Sequence, residues 1–271
     1  MKTLSRVYMW VVFALLYAPI LVLVIFSFND GGSLANYTGF SFRWYGELFR
    51  DSAALQSLKN SLILAVSSAA LSTVIGTFAS LGLDRMRSRA LRGVVTSVTN
   101  IPMMNPDIVT GVSMMLLFVA VAGVLGLSEI LGFWTMLIAH TTFSLPYVIL
   151  SILPRFRQFD KSLREAALDL GCTPARSFFK VELPQVLPGI LSGFMMAFTL
   201  SLDDFVISHF VSHPDFQTLP LYIYAMTKKN VRYDMYALCS LIVVTILVLL
   251  LVVNFAGGIG DRNKRQKGAT K

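Results

Sequence analysis

The sequence predicts an all-α integral membrane protein with six transmembrane helices, and three observations support this fold class. Hydrophobic residues make up 55% of the 271 positions, whereas charged residues make up 14%. The mean hydropathy is +0.67. Six apolar stretches each approach the roughly 20 residues that a helix needs to cross about 30 Å of hydrocarbon. A soluble domain of this size carries more charge, so we expect this chain to fold in a bilayer.

The six predicted spans follow one another at fairly even intervals. They cover residues 7–28, 61–83, 103–124, 133–153, 189–210 and 236–255. The first is too long for a signal-peptide core and has no small-residue cleavage site after it, which favours a retained span. Two prolines, Pro102 and Pro106, stand at the start of the third span, where they free backbone carbonyls from helical hydrogen bonds.

The distribution of basic residues predicts the orientation. With the N-terminus inside, 17 of the 23 lysines and arginines lie on the cytoplasmic side and 6 on the outer side. The positive-inside rule therefore predicts that both termini are cytoplasmic. We expect one transmembrane domain over 1–260, with a cytoplasmic loop at 155–188, and a basic tail at 261–271. The basic residues cluster at span ends, so the net charge of +8 indicates a bilayer and no nucleic-acid partner.

No catalytic or metal-binding pattern emerges from the sequence. Metal-ligand spacing is absent among the histidines and cysteines, which are His140, His209, His213, Cys172 and Cys239. The two cysteines also fall toward opposite membrane faces. No G-x-x-x-x-G-K-[ST] phosphate loop occurs. We therefore predict neither catalysis nor a bound cofactor or metal in this chain.

The loop between the fourth and fifth spans contains a helix–turn–helix pattern. Ser162 followed by Glu165 is a capping-box pattern. Apolar residues then recur at i, i+3, i+4 and i+7, namely at Leu163, Ala166, Ala167 and Leu170. Gly171 is suited to a left-handed helix end, and Thr173 with Pro174 to the start of a second helix. Because nothing within the loop covers the apolar stripe, the pattern predicts a protein partner.

This loop resembles the EAA loop of ATP-binding cassette (ABC) importer permeases, and we call residues 155–188 the EAA loop. The resemblance rests on Glu165-Ala166-Ala167, Gly171 and Val181-x-Leu183-Pro184, with Val181 in place of the usual isoleucine. It implies a type I importer permease whose loop docks on a dimer of separate ATPase subunits, which bind ATP and Mg²⁺. The implied coupling residues are Glu165, Ala166, Ala167, Gly171, Leu183 and Pro184. An ordinary interfacial helix explains neither Gly171 nor the Leu-Pro pair.

A second resemblance, to spermidine and putrescine importer permeases of the bacterial inner membrane, extends over most of the chain. It rests on Tyr17-Ala18-Pro19, Phe28-Asn29, Arg43-Trp44-Tyr45, Pro106-Asp107-Ile108-Val109, His140 to Phe143, Glu165 to Gly171, Phe198 to Asp204, and Thr218 to Leu221. It implies polyamine import together with a second permease subunit, usually a different chain. It also implies a periplasmic polyamine-binding protein that meets the outer segments at 29–59 and 212–234.

Carboxylates within the spans are the candidate substrate residues. An aspartate at the bilayer centre costs about 2.5–3.5 kcal/mol on insertion scales, so Asp203 and Asp204 in the fifth span require a reason. Counted along continuous helices, Asp203 and Asp107 reach similar depths, which predicts a negatively charged level that attracts polycations. Adjacent helical residues point about 100° apart. We therefore expect one of Asp203 and Asp204 to face substrate and the other to bond a neighbouring helix. The alternative is that all three aspartates satisfy broken backbone or pair with basic groups.

Three other classes of protein share part of this pattern. A permease for a different small solute shares the EAA loop, and an anion importer would line the same level with lysine or arginine. An ion-coupled secondary transporter uses buried aspartates as proton relays but needs no EAA loop. An intramembrane aspartyl protease places its two carboxylates on separate helices, unlike Asp203 and Asp204.

Overall fold

The computed structural model describes residues 2–31, 36–126, 131–229, 234–245 and 247–248. Regular structure in these ranges is helical, apart from one isolated bridge between Asn29 and Phe40. The helices are α1 (Lys2–Phe26), α2 (Arg43–Leu48), α3 (Ser52–Arg85), α4 (Arg89–Met104), α5 (Asp107–Leu125), α6 (Phe133–Gln158), α7 (Lys161–Asp169), α8 (Pro174–Ser177), α9 (Leu183–Asp203), α10 (Val206–Val211), α11 (Leu219–Lys229) and α12 (Asp234–Thr245). A π-helical turn, Phe178–Glu182, joins α8 to α9.

Five helical segments are long and apolar enough to cross a membrane. They are Ser5–Phe26 in α1, α3, α5, α6 and the continuous run Pro174–Asp203. The sixth predicted span begins in α12 but extends beyond the described residues, and so does the basic tail at 261–271. The all-α membrane fold is confirmed, whereas the count of six and the orientation of the termini stay predictions.

The chain divides into two compact units, and the first combines Met1–Leu55 with Ile223–Lys271. Within it, α1 exposes apolar side chains along its length, as is typical of a lipid-facing helix. The segment after α1 is held by Trp44, whose indole Nε1 donates to the Asn29 carbonyl at 2.6 Å. The Tyr45 hydroxyl lies 2.8 Å from Ser27 Oγ and donates to Ser240 Oγ at 3.2 Å. The aromatic residues here therefore have a packing role.

The second unit, Gln56–Tyr222, is built around α6. Val148 of α6 is fully buried, and two glycines let neighbouring helices approach it. A Cβ on Gly76 of α3 would lie 2.6 Å from Val148 Cγ1, and a Cβ on Gly193 of α9 would lie 3.2 Å from the same atom. Small residues commonly allow such close helix packing in membranes. These contacts lock α3, α6 and α9 together.

Two predicted spans are interrupted in the structure. The third was predicted to start at 103, but α4 ends at Met104 and α5 begins at Asp107, with extended backbone at Asn105 and Pro106. The fifth was predicted to continue from 189 to 210, but α9 ends at Asp203 and α10 begins at Val206. Pro106 explains the first break, because proline disfavours helical backbone in the residue before it. The second break coincides with the aspartate pair.

Candidate functional site: the EAA loop and the carboxylates of the spans

The EAA loop begins with α7, which is capped by Asp160 rather than by the predicted Ser162. The Asp160 carboxylate accepts a hydrogen bond from the Ser162 amide at 3.0 Å, and Asp160 has the extended backbone of an N-cap residue. Hydrogen bonds from the side chain and backbone of Ser162 lower the pKa of Asp160. The capping-box prediction was wrong because both residues are common N-caps and the pattern alone does not separate them.

The turn after α7 is the one that Gly171 predicts. Gly171 has a φ of +83°, and its amide donates to the Leu168 carbonyl at 2.9 Å. The Cys172 amide donates to the Ala167 carbonyl at 3.0 Å, which completes a Schellman motif. Thr173 then caps α8 through a hydrogen bond from the Arg176 amide, at 3.3 Å. Both predicted helix ends are confirmed.

The second helix of the loop is continuous with the membrane helix that follows. The π-helical turn joins α8 to α9, and the Leu183 amide donates to the Phe178 carbonyl, five residues back. Pro184 explains this local widening, because it lacks an N–H and its ring clashes with the carbonyl four residues earlier. The Leu183-Pro184 pair therefore marks the place where the loop rigidly enters α9.

The apolar stripe of α7 is largely uncovered. Leu163 is 44% exposed and Leu170 86% exposed, and Ala166 is exposed as well, whereas Ala167 is buried. Glu165 is also exposed. The stripe thus leaves three of its four side chains available to a partner. This arrangement meets the geometric requirement for a docking helix.

A buried carboxylate that sequence analysis overlooked anchors the loop. Glu182, with a side chain 4% exposed, accepts hydrogen bonds from Arg85 Nη2 at the end of α3. Arg164 of α7 approaches the same carboxylate, with its Nε 3.8 Å from Oε1. The only sequence signal was a charged residue between Val181 and Leu183. The partners of Glu182 belong to other helices, α3 and α7, so the ion-pair cluster could be found only from the tertiary structure.

At the break between α9 and α10, the two aspartates have different environments. The Asp204 side chain is 7% exposed and accepts hydrogen bonds from the amides of Ile207, at 3.2 Å, and Ser208, at 2.7 Å. Its Oδ2 atom lies 3.4 Å from His140 Nε2. Asp203, by contrast, is exposed. Asp204 therefore holds the broken helix together, and Asp203 is free to meet a ligand.

Asp204 belongs to a buried polar network that joins four helices, which we call the His140 network (Ser68, His140, Ser201, Asp204 and Ser208). His140 Nδ1 lies 2.7 Å from Ser201 Oγ, and His140 Nε2 lies 3.1 Å from Ser208 Oγ. The Ser68 hydroxyl donates to Ser201 Oγ at 2.9 Å. Buried polar groups need such partners in an apolar medium. These contacts give His140 a structural role in packing the four helices.

Asp107 is exposed at the first position of α5, where a negative charge complements the helix dipole. Its depth cannot be counted along a continuous helix, because α4 and α5 are separated. Gly111, one turn later, packs on α10: its Cβ would lie 3.5 Å from the Val206 carbonyl oxygen. Asp107 is thus the first residue of α5, and α5 packs on α10, the helix that follows the Asp203–Asp204 break. Within the described residues, no three His, Cys, Asp or Glu side chains form a metal site.

These features together are typical of a membrane transport subunit, with an exposed helix in the EAA loop and carboxylates at helix breaks. Residues 72–266 match the family described as the binding-protein-dependent transport system inner membrane component. This chain belongs to that family of ABC importer permeases, and it is a multi-pass inner-membrane protein. Membership decides against a secondary transporter.

Two relatives agree with this family assignment, and two solved structures agree with the fold. The chain is 43% identical over 231 residues to the putrescine transport system permease protein PotI of Escherichia coli (strain K12), covering 85% of this chain and 82% of PotI. It is 40% identical to the spermidine/putrescine transport system permease protein PotC of Haemophilus influenzae, covering 92% and 94%. In fold it is similar to a bacterial ABC transporter that imports alginate, with a TM-score of 0.74, 16% identity and coverage of 93% and 95%. The MetNI methionine ABC transporter gives a TM-score of 0.59 with 20% identity, covering 75% of this chain and 92% of that chain.

Proposed function

We propose that this chain is one permease subunit of an importer that carries polyamines, putrescine or spermidine, into the cytoplasm at the expense of ATP. The observation that carries the substrate class is the similarity to polyamine permeases over most of the chain. The geometry supports it, because Asp203 and Asp107 are exposed carboxylates at the two helix breaks. An exposed carboxylate in a low-dielectric pathway attracts the ammonium groups of a polyamine.

The three aspartates have distinct roles in this proposal. Asp203 and Asp107 interact with the cation during its passage, and Asp204 positions Asp203 by fixing the end of α9 and the start of α10. The broken backbone between these helices is the kind of structure that membrane proteins tolerate only where protein or water surrounds it. We place the substrate pathway along this side of α5 and α9.

Energy enters through the EAA loop. The ATPase subunit dimer, which binds ATP and Mg²⁺, docks on the exposed stripe of α7, with Glu165 and Ala166 at the contact. The buried Ala167 packs α7 onto its own chain and so supports the docking helix. Gly171, Leu183 and Pro184 shape the connection from α7 to α9, and the continuous run Pro174–Asp203 carries the movement to Asp203. A second permease subunit completes the pathway, and a periplasmic polyamine-binding protein delivers the substrate to the outer segments.

Uptake measurements test this function. The importer is assembled from this chain and its partner subunits in cells that lack polyamine uptake, and entry of labelled putrescine and spermidine is followed. We expect Asp203→Asn and Asp107→Asn to lower uptake at least about tenfold, since one charge in a partly desolvated site is worth about 1.4 kcal/mol or more. Asp203→Glu and Asp107→Glu, which keep the negative charge, serve as the matched comparison and should retain more uptake than the asparagine variants. Normal polyamine uptake by every variant would show that the carboxylates take no part in the substrate pathway. No uptake by the native assembly would show that the proposed substrate class is wrong.

A further inference from the structure

A cavity of about 440 Å³ lies where α3 ends and α7 begins. Most of its lining is cationic: Asp84, Arg85, Met86, Arg87, Arg92, Lys161 and Arg164. Five of these seven side chains are basic, and only Asp84 is acidic. The positive-inside rule predicts that this end of α3 faces the cytoplasm. A concave surface with so many positive charges favours an anion.

Ion pairs within the protein neutralise only part of this charge. Glu182 pairs with Arg85 at 2.7 Å and with Arg164 at 3.8 Å. Asp160, next to Lys161, accepts its hydrogen bond from Ser162. Arg87, Arg92 and Lys161 form no ion pair with any carboxylate in the ranges that the structure describes. The cavity therefore contains three positive charges outside these ion pairs and one negative charge, that of Asp84.

Arg92 is fixed at the edge of the cavity. Its Nη2 donates to the backbone carbonyls of Asp84 and Met86. Its Nε is buried within the protein, so it does not face the cavity. A guanidinium held in place in this way contributes a positive charge of fixed position to the cavity lining.

The surface beside the cavity is apolar. Helix α4 begins at the cavity, which its residue Arg92 helps to line, and none of the residues of α4 is buried. Its apolar residues Leu91, Val94, Val98 and Ile101 follow a helical spacing, and each is more than half exposed. An amphipathic helix of this kind, with basic residues at its start, matches the boundary between phospholipid headgroups and acyl chains.

We propose that this basic cavity binds the phosphate group of an anionic phospholipid, with the acyl chains along the exposed stripe of α4. Basic pockets between helices at the cytoplasmic face recognise anionic headgroups by the same chemistry. Because Lys161 and Arg164 belong to α7, a bound phosphate ties the start of the EAA loop to the turn between α3 and α4. This site does not depend on which substrate the importer carries. Free phosphate presents the same group, so the experiment must separate the two sources.

Lipid binding to the full-length chain, purified in detergent, tests the proposal. Native mass spectrometry would follow titration with phosphatidylglycerol, with phosphatidylcholine and with inorganic phosphate. The test variant, Arg87→Gln with Lys161→Gln, removes two exposed cavity charges that make no ion pair in the described structure. The matched control, Arg176→Gln with Lys180→Gln, removes two exposed charges from the same loop outside the cavity lining.

We expect the native chain to prefer phosphatidylglycerol, and the cavity variant to lose about twenty-five-fold in affinity, from about fivefold for each basic residue. The control should lose less than about twofold. Tight binding of inorganic phosphate that is lost in the same variant would assign the site to the free anion. Equal losses in the two variants, or no preference for either anionic probe over zwitterionic phosphatidylcholine, would overturn the proposal.

Discussion

Nη2 of Arg85 donates to both carboxylate oxygens of Glu182, at 2.7 and 2.9 Å, and so joins residues that are 97 positions apart. This contact ties the end of α3 to the π-helical turn through which the EAA loop enters α9. Because Arg164 of α7 also approaches Glu182, one buried carboxylate holds three elements. The cluster therefore links the position of the EAA loop to that of the end of α3.

Neutralising Glu182 should weaken this junction. We expect Glu182→Gln to lower the free energy of unfolding by about 2 kcal/mol, since a charge-assisted hydrogen bond contributes about 1.5–3 kcal/mol and Arg85 is partly exposed. Thermal unfolding of the detergent-purified chain measures the change. Glu47→Gln breaks the exposed Arg43–Glu47 pair and should cost less than about 1 kcal/mol. Equal losses in both variants would contradict a structural role for Glu182.

The left-handed backbone at Gly171 makes this position sensitive to any side chain. No atom lies within 4 Å of a Cβ there, so Gly171→Ala tests conformation alone, and we expect a cost of about 1–2 kcal/mol. Gly126→Ala is the control, because Gly126 ends α5 with a φ of +69° and also has open space around it. Both should lose similar stability in thermal unfolding, but only Gly171→Ala should reduce uptake by the assembled importer. Unchanged uptake in Gly171→Ala would show that the turn at Gly171 has no role in coupling to the ATPase.

Replacement of the two adjacent aspartates by alanine should affect stability to very different extents. Asp204→Ala removes the acceptor of two α10 amides and leaves His140 without its carboxylate, so we expect a loss of about 1–3 kcal/mol. Asp203→Ala removes an exposed side chain and should change stability by less than about 0.5 kcal/mol. Size-exclusion chromatography after graded heating distinguishes them. The assignment of Asp204 to structure would be wrong if Asp203→Ala were the less stable variant.

Close packing of α3 on α6 predicts a strong effect at Gly76. A methyl group there would lie 2.6 Å from Val148 Cγ1, a stiff β-branched side chain, so Gly76→Ala should destabilise the chain by about 1–3 kcal/mol. Gly82→Ala lies in the same helix with nothing within 4 Å and should be neutral or slightly stabilising. Thermal unfolding of both variants checks the contact. A similar midpoint for the two would show that the helices do not approach so closely.

Much of the local structure could be read from residue patterns. Hydropathy predicted the spans because long apolar helices are stable in a bilayer. Gly171 predicted its turn because glycine adopts a left-handed backbone at a lower free-energy cost than other residues. The capping of α7 was misassigned, since Asp160 and Ser162 are both good caps and only geometry selects one.

The sequence by itself determined the all-α membrane class, the EAA loop and the presence of unusual carboxylates, because these depend on composition, spacing and local backbone chemistry. Only the tertiary structure decided that the third and fifth spans are broken, that Asp204 is buried against His140 while Asp203 is exposed, and that Glu182 joins α3 to the EAA loop. The physical reason is that the hydrogen-bond and ion-pair partners of a buried polar group come from distant parts of the chain, and helix packing brings them together.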